Sequence, residues 1–276
     1  MTGLMQILTL PILEVILVGA LAGLVGVLAV LNQRVFFAES VTHGTFPGAV
    51  LGVVIASTLG GGHEAVSAAL FAGAFIMCAP LAWVMRALAK IPGISSQAAA
   101  GIVLTLGFAL GYFLATWFAP LPLQVGSFLT GSVLTVSTTD VVLAGLCLTG
   151  ALIIARGRGR TLLQHCFDPT SLPPKVRARS EATILAAIMV TVVVLIPAVG
   201  TILSIALLAA PAAGLKDLMP TLRSYVIAAP IAGAGIGLVG LAAAVAGDFS
   251  AGGCIGLASG LFVVVCRAVR AVRGRQ

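Results

Sequence analysis

Nine stretches of the chain are apolar for long enough, or nearly so, to cross a bilayer: about 11–31, 41–60, 65–85, 97–118, 139–155, 181–198, 199–215, 224–246 and 250–268. A spanning helix needs ~20 such residues. The apolar positions run continuously instead of alternating with polar ones, which excludes an outer-membrane barrel. The expected fold is therefore all-α, a polytopic membrane protein with about nine transmembrane spans in a single domain over residues 1–276. The seventh stretch is short, and Pro197 and Gly200 are predicted to form the tight turn before it. Residues 119–138 are also mostly apolar, and read as a loop or a short helix lying on or dipping into the membrane. The first stretch is too long for a signal-peptide core and has no basic segment before it, so it reads as a retained span.

Composition supports this pattern. Hydrophobic residues make up 60% of the chain and charged residues only 8%. Soluble domains carry roughly a quarter charged residues. That excludes a cytosolic enzyme, a nucleic-acid-binding domain and a disordered regulator. The net charge of +7 comes from 15 Lys and Arg residues against 8 Asp and Glu. With nine spans, all 15 basic residues fall on one side. The positive-inside rule makes that side cytoplasmic, with the amino terminus outside and the carboxyl terminus inside. The five cysteines show no C-x-x-C spacing, and neither a disulfide framework nor a zinc finger is expected.

Small residues mark expected packing faces. Gly19, Gly23 and Gly26 form a GxxxG-type series that lets helices approach closely in lipid. Gly233, Gly235, Gly237 and Gly240 spell G-x-G-x-x-G, but within a span, where the dinucleotide reading fails and close packing is expected.

Few residues offer chemistry. Glu39 and His43 are spaced i, i+4, on one face of a helix if the second span begins near Glu39. A carboxylate and an imidazole together suit a transition-metal ion such as Zn²⁺ or Mn²⁺. The bland alternative is that they hydrogen-bond each other or cap the helix. Asp248 either attracts cations at an entrance or caps the last span. Asp140, beside Thr138 and Thr139, reads as a cap of the fifth span. His63 and Glu64 read as a solvated loop, and Glu14 as a carboxylate hydrated at the interface. The polar segment 156–181 holds six basic residues with His165, Cys166 and Asp168. It reads as a basic loop facing acidic lipid heads, as a docking surface for a cytoplasmic partner, or, less readily, as a metal-binding cluster. No Walker motif and no nucleophile–base set occurs.

Several stretches together resemble the permeases of the ABC-3 family, the membrane subunits of bacterial ABC importers for zinc, manganese or iron. The segment from Glu39 through His43 to Pro47-Gly48 resembles the family's D-A-x-S-H-x-x-x-P-G. Gly101-Ile102-Val103 with Phe108 to Gly111 resembles its fourth span, and Gly126 to Leu129 with Gly131 to Leu134 its Gly-polar-aliphatic segment. Phe167-Asp168-Pro169 matches the F-D-P that opens the large cytoplasmic loop. Val199 to Leu203, Ala206 to Leu208 and Pro211 to Ala213 resemble the V-G-x-x-L…A-L-L…P-A-A block, and Asp248 with Gly252 and Gly253 the turn before the last span. Two departures stand out: Glu39 replaces the usual Asp, and Ser96-Gln97 stands where the family commonly has an acidic pair.

The resemblance implies a type II ABC importer-like permease without an ATPase site or a cofactor of its own. Zinc or manganese would be the transported ion, passing Glu39 and His43, with Asp248 a weaker contributor. It further implies a homodimer in the bacterial inner membrane. The segment of about 156–181, with Phe167, Asp168 and Pro169, would dock cytoplasmic ATPase subunits that bind ATP, and an extracytoplasmic metal-binding protein would deliver the ion. The competing readings are a stand-alone secondary transporter of the drug/metabolite type, which predicts an inverted repeat not visible here, and a membrane assembly protein with no transport path.

Overall fold

The computed structural model describes residues 2–121, 131, 133 and 136–273, the side chains of 2–7, 63, 64, 197, 198 and 202 excepted. Among the described residues every long element is an α-helix: α1 (Thr2–Leu31), α2 (Val35–Gly44), α3 (Phe46–Thr58), α4 (His63–Leu88), α5 (Ser96–Trp117), α6 (Thr138–Phe167), α7 (Pro174–Val199), α8 (Thr201–Leu215), α9 (Leu222–Gly247) and α10 (Ala251–Arg273). Eight crossings are long and apolar enough for a bilayer, with α2 and α3 together making the second. The ninth expected stretch is α8, only 15 residues long. At 1.5 Å per residue it reaches about 22 Å, short of the ~30 Å hydrocarbon layer. Protein surrounds it instead of lipid: it packs on α1, α7, α9 and α10.

The chain divides into two compact units, Met1–Val35 with Thr130–Gln276, and Phe36–Leu129. In the first, α1 packs along α6, α7, α8 and α9. The glycine series does the packing expected of it. A Cβ on Gly19 would collide with the backbone of Gly233, one on Gly23 with that of Ala229, and one on Gly26 with that of Leu208. Gly237 faces Val15 and Gly240 faces Ile255, whereas Gly235 meets nothing within 4 Å. The second unit is built from α2 to α5. There Gly48 and Gly73 bring α3 and α4 together, and Gly107 lets α5 approach Gly44.

Outside these seams the surface is greasy. Trp83, Ile153 and Leu257 are 71%, 72% and 78% exposed. A water-soluble monomer rarely shows such patches, so these faces belong against lipid or another membrane chain.

Helix ends are capped by local polar chemistry. Ser137 and Asp140 form a capping box at the start of α6, with the Ser137 amide donating to Asp140 Oδ2 at 2.9 Å. Asp140 is thus the cap that its sequence context predicted. Thr221 and Ser224 do the same for α9. Gly200, at φ 83°, makes the turn from α7 to α8, while Pro197 remains within α7. Gly131, at φ 72°, presses on the Val199 and Gly200 backbone, where no side chain fits. The rest of the expected Gly-polar-aliphatic segment, Gly126 to Leu129 with Ser132 and Leu134, lies outside the described residues.

The basic ends of the first unit are tied to one another. Arg34, just after α1, donates to Glu181 in α7 at 3.1 Å. Asp217, just after α8, accepts from Arg270 and lies 3.9 Å from Arg267, both in α10. Each ion pair thus joins two helix ends of the first unit.

The polar segment 156–181 differs from the loop expected of it. Helix α6 continues unbroken to Phe167, a single 3₁₀ turn spans Pro169–Ser171, and α7 begins at Pro174. Helix formers such as Leu162, Leu163 and Gln164 extend α6 beyond its apolar part. Pro174, with no N–H to lose, opens the next helix at its first turn.

Candidate functional site

Helix α2 delivers both candidate ligands. Its polar hydroxyls are occupied locally. Ser40 Oγ donates to the Phe36 carbonyl at 2.8 Å, Thr42 Oγ1 to that of Ala38 at 2.7 Å, and Thr45 Oγ1 to that of Thr42 at 2.9 Å. All three residues are fully buried. Glu39 and His43 are partly exposed and lie one helical turn apart. Among the described residues no hydrogen bond or ion pair joins them, and His43 Nδ1 is buried without a partner. The alternative in which the pair hydrogen-bonds to itself is not what the structure adopts.

Two further features shape this point. The His43 ring stands edge-on to Phe108 of α5, with centroids 5.7 Å apart and planes at 86°. Phe108 in turn stacks on Phe46 at 5.9 Å. Pro47, at the start of α3, has no N–H to give the carbonyl of His43, so the helical ladder is interrupted there. Glu39 and His43 thus offer a carboxylate and an imidazole nitrogen free of protein partners, beside an interrupted backbone. Among the described residues no group of three or more His, Cys, Asp or Glu assembles. Two donors hold a dication less tightly than the four of a closed zinc site.

The remaining candidates resolve one by one. Asp248 is exposed and closes α9 in the left-handed conformation, φ 54° and ψ 39°. It is a C-cap and not the N-cap of the next helix. That role passes to Ser250, whose hydroxyl accepts from the Gly253 amide at 3.5 Å. Asp168 folds over the 3₁₀ turn, where Oδ1 accepts from Thr170 Oγ1 at 2.6 Å, Thr170 N at 3.1 Å and Ser171 N at 3.2 Å. These bonds, the Thr170 hydroxyl first among them, hold its carboxyl below the usual range. Phe167 beside it is 64% exposed. His165 is buried with Nδ1 unpartnered, but no metal cluster forms with Cys166 and Asp168. His63 and Glu64 begin α4 and are not in a loop.

Glu14 is the clearest departure. Expected at a hydrated interface, it is 1% exposed within the first unit, and its Oε2 has no hydrogen-bond partner. Burial by tertiary packing on α1 decided this, and the lone acid in an apolar run was the only signal in the sequence.

Eight long apolar helical crossings among the described residues, and an exterior suited to lipid, define a multi-pass membrane protein. The family model "ABC 3 transport family" matches residues 5–270, and the chain belongs to that family. It is the membrane permease of an ABC transport system and not its ATPase. The chain is 31% identical over 256 residues, 90% of its length and 82% of the relative's, to the manganese transport system membrane protein MntC of Halalkalibacterium halodurans. It is 28% identical over 235 residues, 83% of its length and 77% of the relative's, to the zinc transport system membrane protein TroC of Treponema pallidum. Its fold matches a chain of the solved structure of PsaBC from Streptococcus pneumoniae in complex with Fab. The TM-score is 0.80 at 23% identity, with 95% of this chain and 92% of that chain covered.

Proposed function

We propose that this permease imports manganese or zinc, with Glu39 and His43 as the station where the ion pauses. The observation that carries this reading is the pair on α2, two ligand-type groups with no bond to each other and an imidazole nitrogen with no protein partner. The manganese and zinc systems named among the relatives support the choice of cargo. A weak site suits transit, because the ion must leave as readily as it enters.

In this reading α8 completes a ninth pass inside the protein, and two copies pair in the bacterial inner membrane with the amino terminus outside and the carboxyl terminus in the cytoplasm. The distribution of Lys and Arg along the nine passes, and the ion pairs that join basic helix ends of the first unit, support that orientation. Separate ATPase subunits dock at the tip of α6, where Phe167 is exposed beside the braced Asp168–Pro169 turn. ATP binding there shifts the permease between states open to opposite sides. An extracytoplasmic metal-binding protein hands over the ion, and exposed Asp248 contributes weakly at that face.

Uptake of radiolabelled manganese and zinc in cells carrying the whole transport system tests the proposal. His43→Ala and Glu39→Ala should abolish most uptake while the protein still reaches the membrane. Glu39→Asp should retain it, since the carboxylate survives. Undiminished uptake in both alanine variants, or uptake that persists without the ATPase, defeats the reading.

A further inference from the structure

At the basic end of the first unit, α6 stands beside a cavity of about 710 Å³. Its walls include Leu24 and Leu28 of α1, Ile154 of α6 and Ile227 of α9. Its rim carries Arg156 and Arg160 of α6 and Arg223 of α9. Arg156 and Arg160 are one turn apart, so their side chains share a face. All three guanidiniums are exposed, and none has an ion-pair partner among the described residues. Gly157 and Gly159, between the two α6 arginines, leave open space where other residues would place a Cβ. A second groove of about 640 Å³ adjoins the first, sharing Val25, Ile154 and Ala187, and it too combines apolar walls with arginines, Arg158 and Arg179.

We propose that the larger cavity is a binding site for an anionic phospholipid. Its phosphate sits among Arg156, Arg160 and Arg223, and an acyl chain lies between α1, α6 and α9. The occupant has to be anionic at one end and apolar along the rest. Three unpaired cations repel one another until an opposite charge arrives, and a phosphodiester supplies that charge. The apolar walls belong to membrane-crossing helices, Leu8–Leu31 and Leu222–Gly247 among them, beyond the reach of a water-soluble partner. A second copy of this chain would bring the same arginines and a net charge of +7. Basic pockets between helix ends are the usual places where acidic headgroups are held. The site stands apart from the proposed docking tip: Phe167 lies seven residues beyond Arg160 along the unbroken α6, about 10 Å further out.

Native mass spectrometry of the full-length chain in detergent tests this. Phosphatidylglycerol and phosphatidylcholine with matched acyl chains are added at equal concentration. Retained phosphatidylglycerol should exceed phosphatidylcholine by about fivefold or more. Joint Arg156→Ala, Arg160→Ala and Arg223→Ala should erase that preference. A control with the same charge loss elsewhere, Arg86→Ala, Lys90→Ala and Arg273→Ala, should keep it. Ala151→Phe, which leaves every arginine but narrows the cavity, should also lower retention, and it decides the matter if the triple variant does not fold. Inorganic phosphate should not displace the lipid. Equal retention of both lipids, the same loss in the control, full retention in Ala151→Phe, or displacement by inorganic phosphate overturns the proposal.

Discussion

The His43 ring meets Phe108 edge-on, at 5.7 Å between centroids and 86° between planes. Phe108 packs against the imidazole from α5, and His43 Nδ1 keeps no hydrogen-bond partner there. Phe108→Ala removes that wall and the stack with Phe46. The loss should lower thermal stability by about 1 kcal/mol and weaken uptake by raising the metal concentration needed for half-maximal rate. Phe108→Leu, which restores bulk, should recover stability more than uptake. Thermal denaturation in detergent and metal uptake in cells measure the two separately.

The seam between α1 and α9 makes a paired prediction. Gly233 lies against the Gly19 backbone, so Gly233→Ala forces the helices apart. It should cost about 1–3 kcal/mol. Gly235, two residues away, meets nothing within 4 Å. Gly235→Ala should be neutral or stabilising by up to about 1 kcal/mol. Comparing the melting temperatures of the two variants tests the packing directly, since both make the same chemical change on the same helix.

Tyr225 is buried in a core shared by α1, α8, α9 and α10, and its hydroxyl donates to the Ala212 carbonyl at 2.9 Å. That carbonyl also accepts from the Lys216 amide at 3.1 Å. Tyr225→Phe should therefore cost only about 0.5–1.5 kcal/mol, because the carbonyl keeps a partner. A larger drop in denaturation midpoint contradicts this assignment.

Asp168 makes a prediction in pH. Hydrogen bonds from Thr170 and Ser171 favour its ionised form and depress its titration. A depressed carboxylate stabilises the fold at neutral pH, and that stabilisation disappears as pH falls through the depressed value. The 3₁₀ turn should thus survive through the ordinary carboxylate range and loosen only in stronger acid. Hydrogen exchange at Thr170 and Ser171, corrected for intrinsic rate, reports it. Asp168→Asn should loosen the turn at every pH and remove the dependence.

Much of the architecture was legible in the order of apolar residues. The expected spans all fall on helices, because unbroken apolar runs have one solution in lipid. Glu39 and His43 were legible for a similar reason: i, i+4 spacing survives any packing of the helix that carries it. What depended on neighbours was not legible. Glu14 looked like an interface residue, and only the packing of the first unit seals it. Asp248 looked like an N-cap, yet its backbone turns left-handed to end α9 and Ser250 begins the next helix. Segment 156–181 looked like a loop because it is charged. Charge is compatible with helix once α6 has left the bilayer, and only the six residues from Asp168 to Pro173 fall between the two helices.

Pro47 leaves a rung missing from the second crossing at the level of His43. The second crossing is therefore one backbone bond weaker beside Glu39 and His43 than it would be with any other residue at that position. A tilt of α3 against α2 would meet less resistance at that level, and it would change the surroundings of His43.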